Sequence, residues 1–190
     1  MGPDLAPAAR VTGAVISAIT DEQLAGPTPS PGCTVGDLVV HVEGLAVGLV
    51  ATARKTARAP AVEPPPDGAA GPAHGWRERI PARLAELAEA WRAPTAWEGS
   101  TQAGGVPLDA AAAGMFALDE IVVHGWELAV ATGQPYPADG ASVRACAEFL
   151  AGVPRSAELF GPVVAVPPDA PDIDRLVGLS GRDPAWRPRA

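Results

Sequence analysis

The chain has 190 residues, 47% of them apolar, and a formal net charge of −8. That length suits one domain with a sizeable core, and the acidic balance argues against nucleic acid, which selects basic surfaces. No uninterrupted run of 18 apolar residues occurs and the N-terminus lacks the pattern of a secretory signal, so neither a membrane span nor export is expected. Two cysteines, Cys33 and Cys146, are too few for a disulfide scaffold, and reduced thiols in a cytoplasmic protein are the simplest reading.

Apolar residues at helical spacing, Val11, Val15, Ile16 and Ile19, predict a first helix over about Ala8–Thr20. The stretch Gly26-Pro-Thr-Pro-Ser-Pro-Gly32 is a loop. Thr34 then caps a second helix, with Asp37 at the reciprocal position of a capping box, and that helix runs to about Arg58. Residues 59–75 read as a connector and leave His74 in solvent. A third helix covers roughly Trp76–Arg92, with Leu84, Leu87 and Trp91 on its apolar face and Pro81 inside its first turns. The segment Trp97–Val106 reads as a loop whose paired glycines permit either an ordinary turn or close approach to a ligand. A fourth helix runs from about Leu108 to Thr132 and stops at Gly133, with Pro135 beyond it. A fifth spans about Ala141–Leu150, and a proline-rich tail from Pro154 carries a short helix near Ile173–Leu179. No strand-rich segment stands out. The pattern is all-α, a four-helix bundle with a short C-terminal helix and an irregular tail.

Within helix four, Glu120 and His124 stand four residues apart in Leu118-Asp-Glu-Ile-Val-Val-His-Gly-Trp-Glu-Leu128. Residues so spaced share a helix face, with Cβ atoms roughly 5–6 Å apart. The flanks are apolar, and a buried ionised group is costly unless it is paired or bound to a metal. His41 lies in a similar run on helix two, on a face with Leu38, Leu45 and Gly48. If the two helices adjoin, His41, Glu120 and His124 form a two-histidine, one-carboxylate metal site with positions left open. The bland reading is a structural His–Glu hydrogen bond. Glu127, three residues past His124, is an alternative carboxylate, whereas Asp119 and Glu43 point elsewhere. Asp37 could orient His41 or simply cap its helix. Cys33 precedes a helix N-terminus, which would stabilise a thiolate, and reads as structural. Trp97 and Trp126 could line a pocket or belong to the core. Thr101 and Gln102 are placed with the Thr101–Gly105 loop over the pocket mouth. No phosphate-binding glycine loop and no nucleophile elbow is present.

The segments Pro27-Thr-Pro-Ser-Pro-Gly-Cys-Thr-Val-Gly-Asp-Leu-Val-Val-His41 and Ala117-Leu-Asp-Glu-Ile-Val-Val-His-Gly-Trp-Glu-Leu-Ala-Val-Ala-Thr-Gly-Gln-Pro135 resemble the DinB-like superfamily. More narrowly, they resemble its actinobacterial branch related to mycothiol-dependent maleylpyruvate isomerase. The segments Ala96–Val106, Leu159–Asp172 and Gly181-Arg-Asp-Pro-Ala-Trp186 are similar to the same branch. The resemblance implies a four-helix bundle with a divalent metal, usually zinc, held by His41, Glu120 and His124; nickel or iron could substitute, because affinity order does not decide occupancy in cells. It favours Glu120 over Glu127. It also implies a low-molecular-weight thiol, such as mycothiol, as co-substrate against a small electrophile. Two departures stand out. Cys33 occupies a position that is often tryptophan, and the isomerase carries a further C-terminal domain where this chain has a short tail.

The expectation is therefore a metal-binding bundle over residues 1–153 with a tail, 154–190, packed on it. The function expected is a thiol-dependent transferase or isomerase acting on a small-molecule substrate; a homodimer is a further expectation. A thiol-independent lyase, hydrolase or cyclase and a non-enzymatic binding module are the alternatives.

Overall fold

A computed structural model of the chain describes residues 2–56, 71–153 and 161–188. Arg58, most of the expected connector and the first residues of the tail lie outside that set. Helix α1 spans Ala6–Ala18, α2 Val35–Ala53, α3 Trp76–Ala90, α4 Ala110–Ala131, α5 Gly140–Gly152 and α6 Asp172–Leu179. Helices α1 and α2 each pack on both α3 and α4, so the four form a square with α1 and α2 on one diagonal. Helix α5 lies against α4, and α6 against α5. The core between them is built from Leu5, Ile16, Leu38, Ile80, Leu84, Leu87, Trp91, Leu118 and Leu128, all at most 2% exposed. The all-α expectation holds.

Local chemistry sets the helix ends. Helix α1 starts two residues early because the Asp4 side chain accepts from Ala6 N and Pro7 suits the first turn. Thr20 is not its last residue; with Gln23 it forms the capping box of a short 3-10 turn, Asp21–Gln23. The Thr34–Asp37 capping box on α2 forms as expected: Asp37 N donates to Thr34 Oγ1 at 3.1 Å and Thr34 N to Asp37 Oδ2 at 3.0 Å. Capping thus accounts for Asp37. Pro81 sits in the second turn of α3 and cannot donate to the Arg77 carbonyl four residues back. Ser17 of α1 donates to that carbonyl instead, at 2.8 Å.

The expected loop at 97–106 is in part a hairpin. Strand β1, Ser100–Ala103, pairs antiparallel with β2, Val106–Asp109. Gly104 and Gly105 make the two-residue turn with φ of 56° and 81°, the positive values that a tight hairpin demands at both central positions. Asp109 closes β2 and caps α4 by accepting from Ala112 N at 3.0 Å, which is why the helix begins at Ala110 rather than Leu108.

Helix α2 is, by length and hydropathy, apolar enough to cross a membrane, though Asp37, His41 and Glu43 interrupt it. It is packed as a core helix on α3 and α4, and Arg79 of α3 clamps Glu43 at 2.6 and 3.2 Å. Between α1 and α4 the approach is closer. A Cβ on Gly125 would stand 2.2 Å from Thr12 Oγ1, and Thr12 donates to the Ile121 carbonyl at 3.0 Å.

Two glycine substitutions should therefore move stability in opposite directions. Gly125→Ala forces Thr12 and Tyr136 aside in a closed interface and should cost about 2 kcal/mol, within the overpacking range. Gly44→Ala, on α2 with nothing within 4 Å of the new Cβ, should stabilise by about 0.5–1 kcal/mol. Denaturant midpoints at constant m-value are the measurement; a stabilised Gly125→Ala would refute the packing account.

Candidate metal centre

His41 lies in the second turn of α2, and Glu120 and His124 lie on successive turns of α4, which α2 crosses antiparallel. Their donor atoms come together. His124 Nε2 is 2.7 Å from Glu120 Oε2, and His41 Nε2 is 3.9 Å from the same oxygen. The two imidazoles stand edge to face with centroids 4.9 Å apart. One ligand atom from each of the three residues falls within 4.8 Å of the others, the one such group among the described residues. Ligands of a tetrahedral zinc at about 2.0–2.2 Å stand roughly 3.3 Å from one another. Two of the pairs, at 2.7 and 3.9 Å, straddle that spacing and all three donors lie within 4.8 Å, so the donor set fits a divalent cation with an inward shift of the half-exposed His41 side chain on the order of 1 Å. The His41 side chain is 52% exposed and that of His124 10%, so the cluster opens to solvent on the α2 side.

Behind the cluster is a residue with another role. Glu127, fully buried, faces the far nitrogen of the same imidazole: His124 Nδ1 to Glu127 Oε2 is 2.7 Å. Its other oxygen accepts from Ser30 Oγ at 2.7 Å and Arg182 Nε at 3.1 Å. The alternative carboxylate of the sequence is thus a partner of His124 rather than a member of the cluster. Ser30 reaches it because the preceding loop is tightly made. Cys33 N donates to Ser30 O at 3.1 Å, with Pro31 and then Gly32 at φ 76° between them, which is a type II turn. Thr28 braces the turn by donating to the Cys33 carbonyl at 2.8 Å.

Burial alone would neutralise these groups, and their pairing overrides it. Burial raises Glu120, but the imidazoles of His124 and His41 bring it down to about 2. Burial lowers His124, yet the carboxylates of Glu120 and Glu127 lift it to about 9. Glu127 is likewise held at about 2, against its burial, by His124, Arg182 and Ser30. Asp119 has no hydrogen-bonded counter-charge of this kind among the described residues. Its Oδ1 is buried without a hydrogen bond, and burial, followed by the charge of Glu120, raises it to about 7. Cys33 is half-buried and its thiol is pushed up, chiefly by burial, so its place before α2 does not activate it.

The other expected pocket residues are not brought to this cluster. Thr101 donates to the Thr52 carbonyl at 2.7 Å, and Thr52 Oγ1 to the Gln102 carbonyl at 2.9 Å. These bonds pin the hairpin to the last turn of α2, eleven residues or roughly 16 Å along the helix from His41. Thr101 and Gln102 are therefore anchored at the far end of α2 from His41, and the Gln102 side chain is exposed there. Trp97 is a core residue: it packs over Gly114 and Gly2, crosses Trp91 at 5.0 Å and donates to the Trp91 carbonyl at 2.7 Å. Trp126 is buried two residues past His124, about 200° round α4 from it. His74 is exposed, as expected. Sequence reasoning missed Ser30 and Arg182, which are 97 and 55 residues from Glu127 and carry no motif of their own. A groove of about 460 Å³, lined by Ala9, Gly13, Ser17, Pro81 and Ala85, lies between α1 and α3, on the opposite edge of the bundle.

A family model for the mycothiol maleylpyruvate isomerase N-terminal domain matches residues 5–129. The match begins at the residue before α1 and ends in the last turn of α4, so it contains His41, Glu120, His124 and Glu127, while α5, α6 and Arg182 lie beyond it. No curated protein and no solved structure matches the chain. The match spans well over half of the chain and agrees with the helical bundle and its His–Glu–His cluster, and the chain belongs to the family of the mycothiol maleylpyruvate isomerase N-terminal domain.

Proposed function

We propose that this chain is a metal-dependent enzyme that uses a low-molecular-weight thiol, mycothiol or a close analogue, against a small electrophile. His41, Glu120 and His124 would hold one divalent cation, zinc by preference. The observation that carries the reading is the convergence of these three donors from α2 and α4 into a cluster closed behind by Glu127 and open beside His41. A cation held there supplies a Lewis acid that lowers the pKa of a thiol or water reaching its open side. The protein's own part is to fix the donors. Glu127 would keep the Nδ1 proton of His124, so that once the Nε2 proton is displaced the lone pair there would face the cation. Formal charge suits one singly charged ligand, a thiolate as well as a hydroxide. Glu120, Glu127 and Arg182 sum to −1, neutral imidazoles add nothing, and a divalent cation would leave +1 for a singly charged thiolate to balance.

Protein prepared without affinity-resin metals should carry about one divalent ion per chain by elemental analysis. Glu120→Ala should lose most of it. Glu127→Gln should keep a folded bundle but bind zinc about 10–100-fold more weakly, because an amide nitrogen at Nδ1 turns the imidazole to the wrong tautomer. Equal metal content in all three proteins would overturn the assignment.

The pH dependence has a definite sign. The metal-free protein holds a proton on His124 up to about pH 9, and a cation must displace it. Zinc affinity should therefore rise with pH, about tenfold per unit where one proton is displaced, and level off above about pH 9. Calorimetry in buffers of different ionisation enthalpy should show proton release at pH 7. Uptake, or no exchange, would contradict the electrostatics.

For the reaction, mixing the protein with mycothiol or a surrogate thiol and a broad electrophile should give conjugation above the uncatalysed rate. A chelator should remove the excess, added zinc should restore it, and His41→Ala and His124→Ala should abolish it. Turnover of an electrophile by metal-loaded protein with no thiol present would replace this reading with a thiol-independent one.

A further inference from the structure

The bonds around Glu127 join three distant parts of the chain. Ser30 belongs to the turn before α2, Glu127 to the end of α4, and Arg182 to the segment after α6. Both Ser30 and Arg182 donate to the same oxygen, Oε1, and this leaves Oε2 for His124 Nδ1. A carboxylate whose one oxygen is held by two donors from separate segments has little freedom to swing. The imidazole it orients is fixed in turn.

Arg182 is itself well seated. Its Nη1 donates to the Ser180 carbonyl at 2.8 Å, and Ser180 is anchored to α6 through the Val177 carbonyl at 2.8 Å. Arg182 N donates to the same Val177 carbonyl at 2.9 Å, closing the C-terminus of α6. Next to it, Gly181 has a φ of 86° and lies so close to Gly161 that a Cβ would meet that backbone at 2.9–3.0 Å. The tail thus crosses itself at a point where a side chain on Gly181 does not fit, and the crossing delivers one guanidinium to a buried carboxylate. A surface ion pair needs no such arrangement, since exposed pairs contribute little.

We infer that the C-terminal segment is a working part of the metal centre, with Arg182 and Ser30 as positioning residues that set the His124 donor through Glu127. This rests on the proposed metal site. It extends that site past the residues the family model matches, because Arg182 lies 53 positions beyond the last of them, Ala129.

The test uses the full chain, with zinc affinity measured against a competing chelator and the visible spectrum of the cobalt-substituted protein as a geometric readout. Arg182→Ala should weaken zinc about tenfold, the low end of the range for groups behind a ligand. It should also shift or broaden the cobalt bands. Arg182→Lys should recover part of both, since a single charged donor reaches Oε1. Ser30→Ala, which leaves the tail untouched, should move the same two readouts in the same direction and stands in if Arg182→Ala fails to fold. Arg175→Ala removes a different tail arginine, bound to Asp172 and to the Pro168 and Ala170 carbonyls, and should leave affinity within about twofold. Wild-type protein that binds no zinc or cobalt would overturn the metal reading and this inference with it. Wild-type protein that binds both, with Arg182→Ala and Ser30→Ala unchanged in affinity and spectrum, would overturn this inference alone.

Discussion

Three ionisable side chains on one buried helix face govern this structure. Glu120, His124 and Glu127 sit at i, i+4 and i+7 of α4, with exposures of 17%, 10% and 0% for their side chains. Any of them alone would cost several kcal/mol to bury charged. Set in the order carboxylate, imidazolium, carboxylate, each is the counter-charge of its neighbour. The pairing leaves loose ends: one oxygen of Glu127, the open side of Glu120 and the net negative charge. His41 comes from α2 to meet the second of these, and Ser30 and Arg182 meet the first. The paths of the pre-α2 loop and the tail are thus tied to the polar needs of α4.

Getting α2 and the loop into place is a matter of backbone chemistry. The Thr34–Asp37 box fixes where α2 begins and so sets which of its residues face α4; His41 stands one turn past Asp37. The type II turn at Pro31-Gly32 sets where Ser30 points. On the other side of the bundle, small residues let the helices close in. Thr12 reaches the Ile121 carbonyl only because Gly125 has no Cβ, and Ser17 covers the carbonyl that Pro81 leaves unbonded. The Thr12 contact holds α4 from behind while its other face carries the charged groups.

Short-range signals were the legible ones. Helix periodicity, the capping box, the Gly133 stop and the Glu120–His124 spacing are all properties of a few neighbouring residues, and the structure reproduces each. The hairpin was not legible because Ser100–Asp109 has no alternating apolar pattern. It is held by a bond between Thr101 and Thr52, 49 residues apart in sequence, which only the fold brings together. The same distance hid the true place of the Thr101–Gly105 turn. Glu127 was visible as a neighbour of His124, but spacing cannot say which ring nitrogen a carboxylate meets. A residue at i−4 took Nε2 and one at i+3 took Nδ1, and only the side-chain directions on the helix decide that. Arg182 follows a tail whose course no local pattern encodes.

The protonation of this cluster bears on which cation it would accept. The proton that His124 keeps up to about pH 9 sits where an incoming ion must bind, so every cation competes with it near neutrality. Hard ions such as magnesium and calcium draw little from imidazole nitrogen and take oxygen ligands instead. They would have to displace that proton while using one carboxylate, a poor exchange. A borderline transition ion recovers the loss through two nitrogen donors, and zinc, nickel and iron all accept imidazole. The two carboxylates that raise the proton's affinity for His124 do not act equally on such an ion. Glu120 would become its ligand, while Glu127 would stay behind the ring and keep Nδ1 protonated, strengthening Nε2 as a donor. The arrangement that makes His124 hard to deprotonate would therefore also favour a nitrogen-seeking divalent cation once the proton leaves.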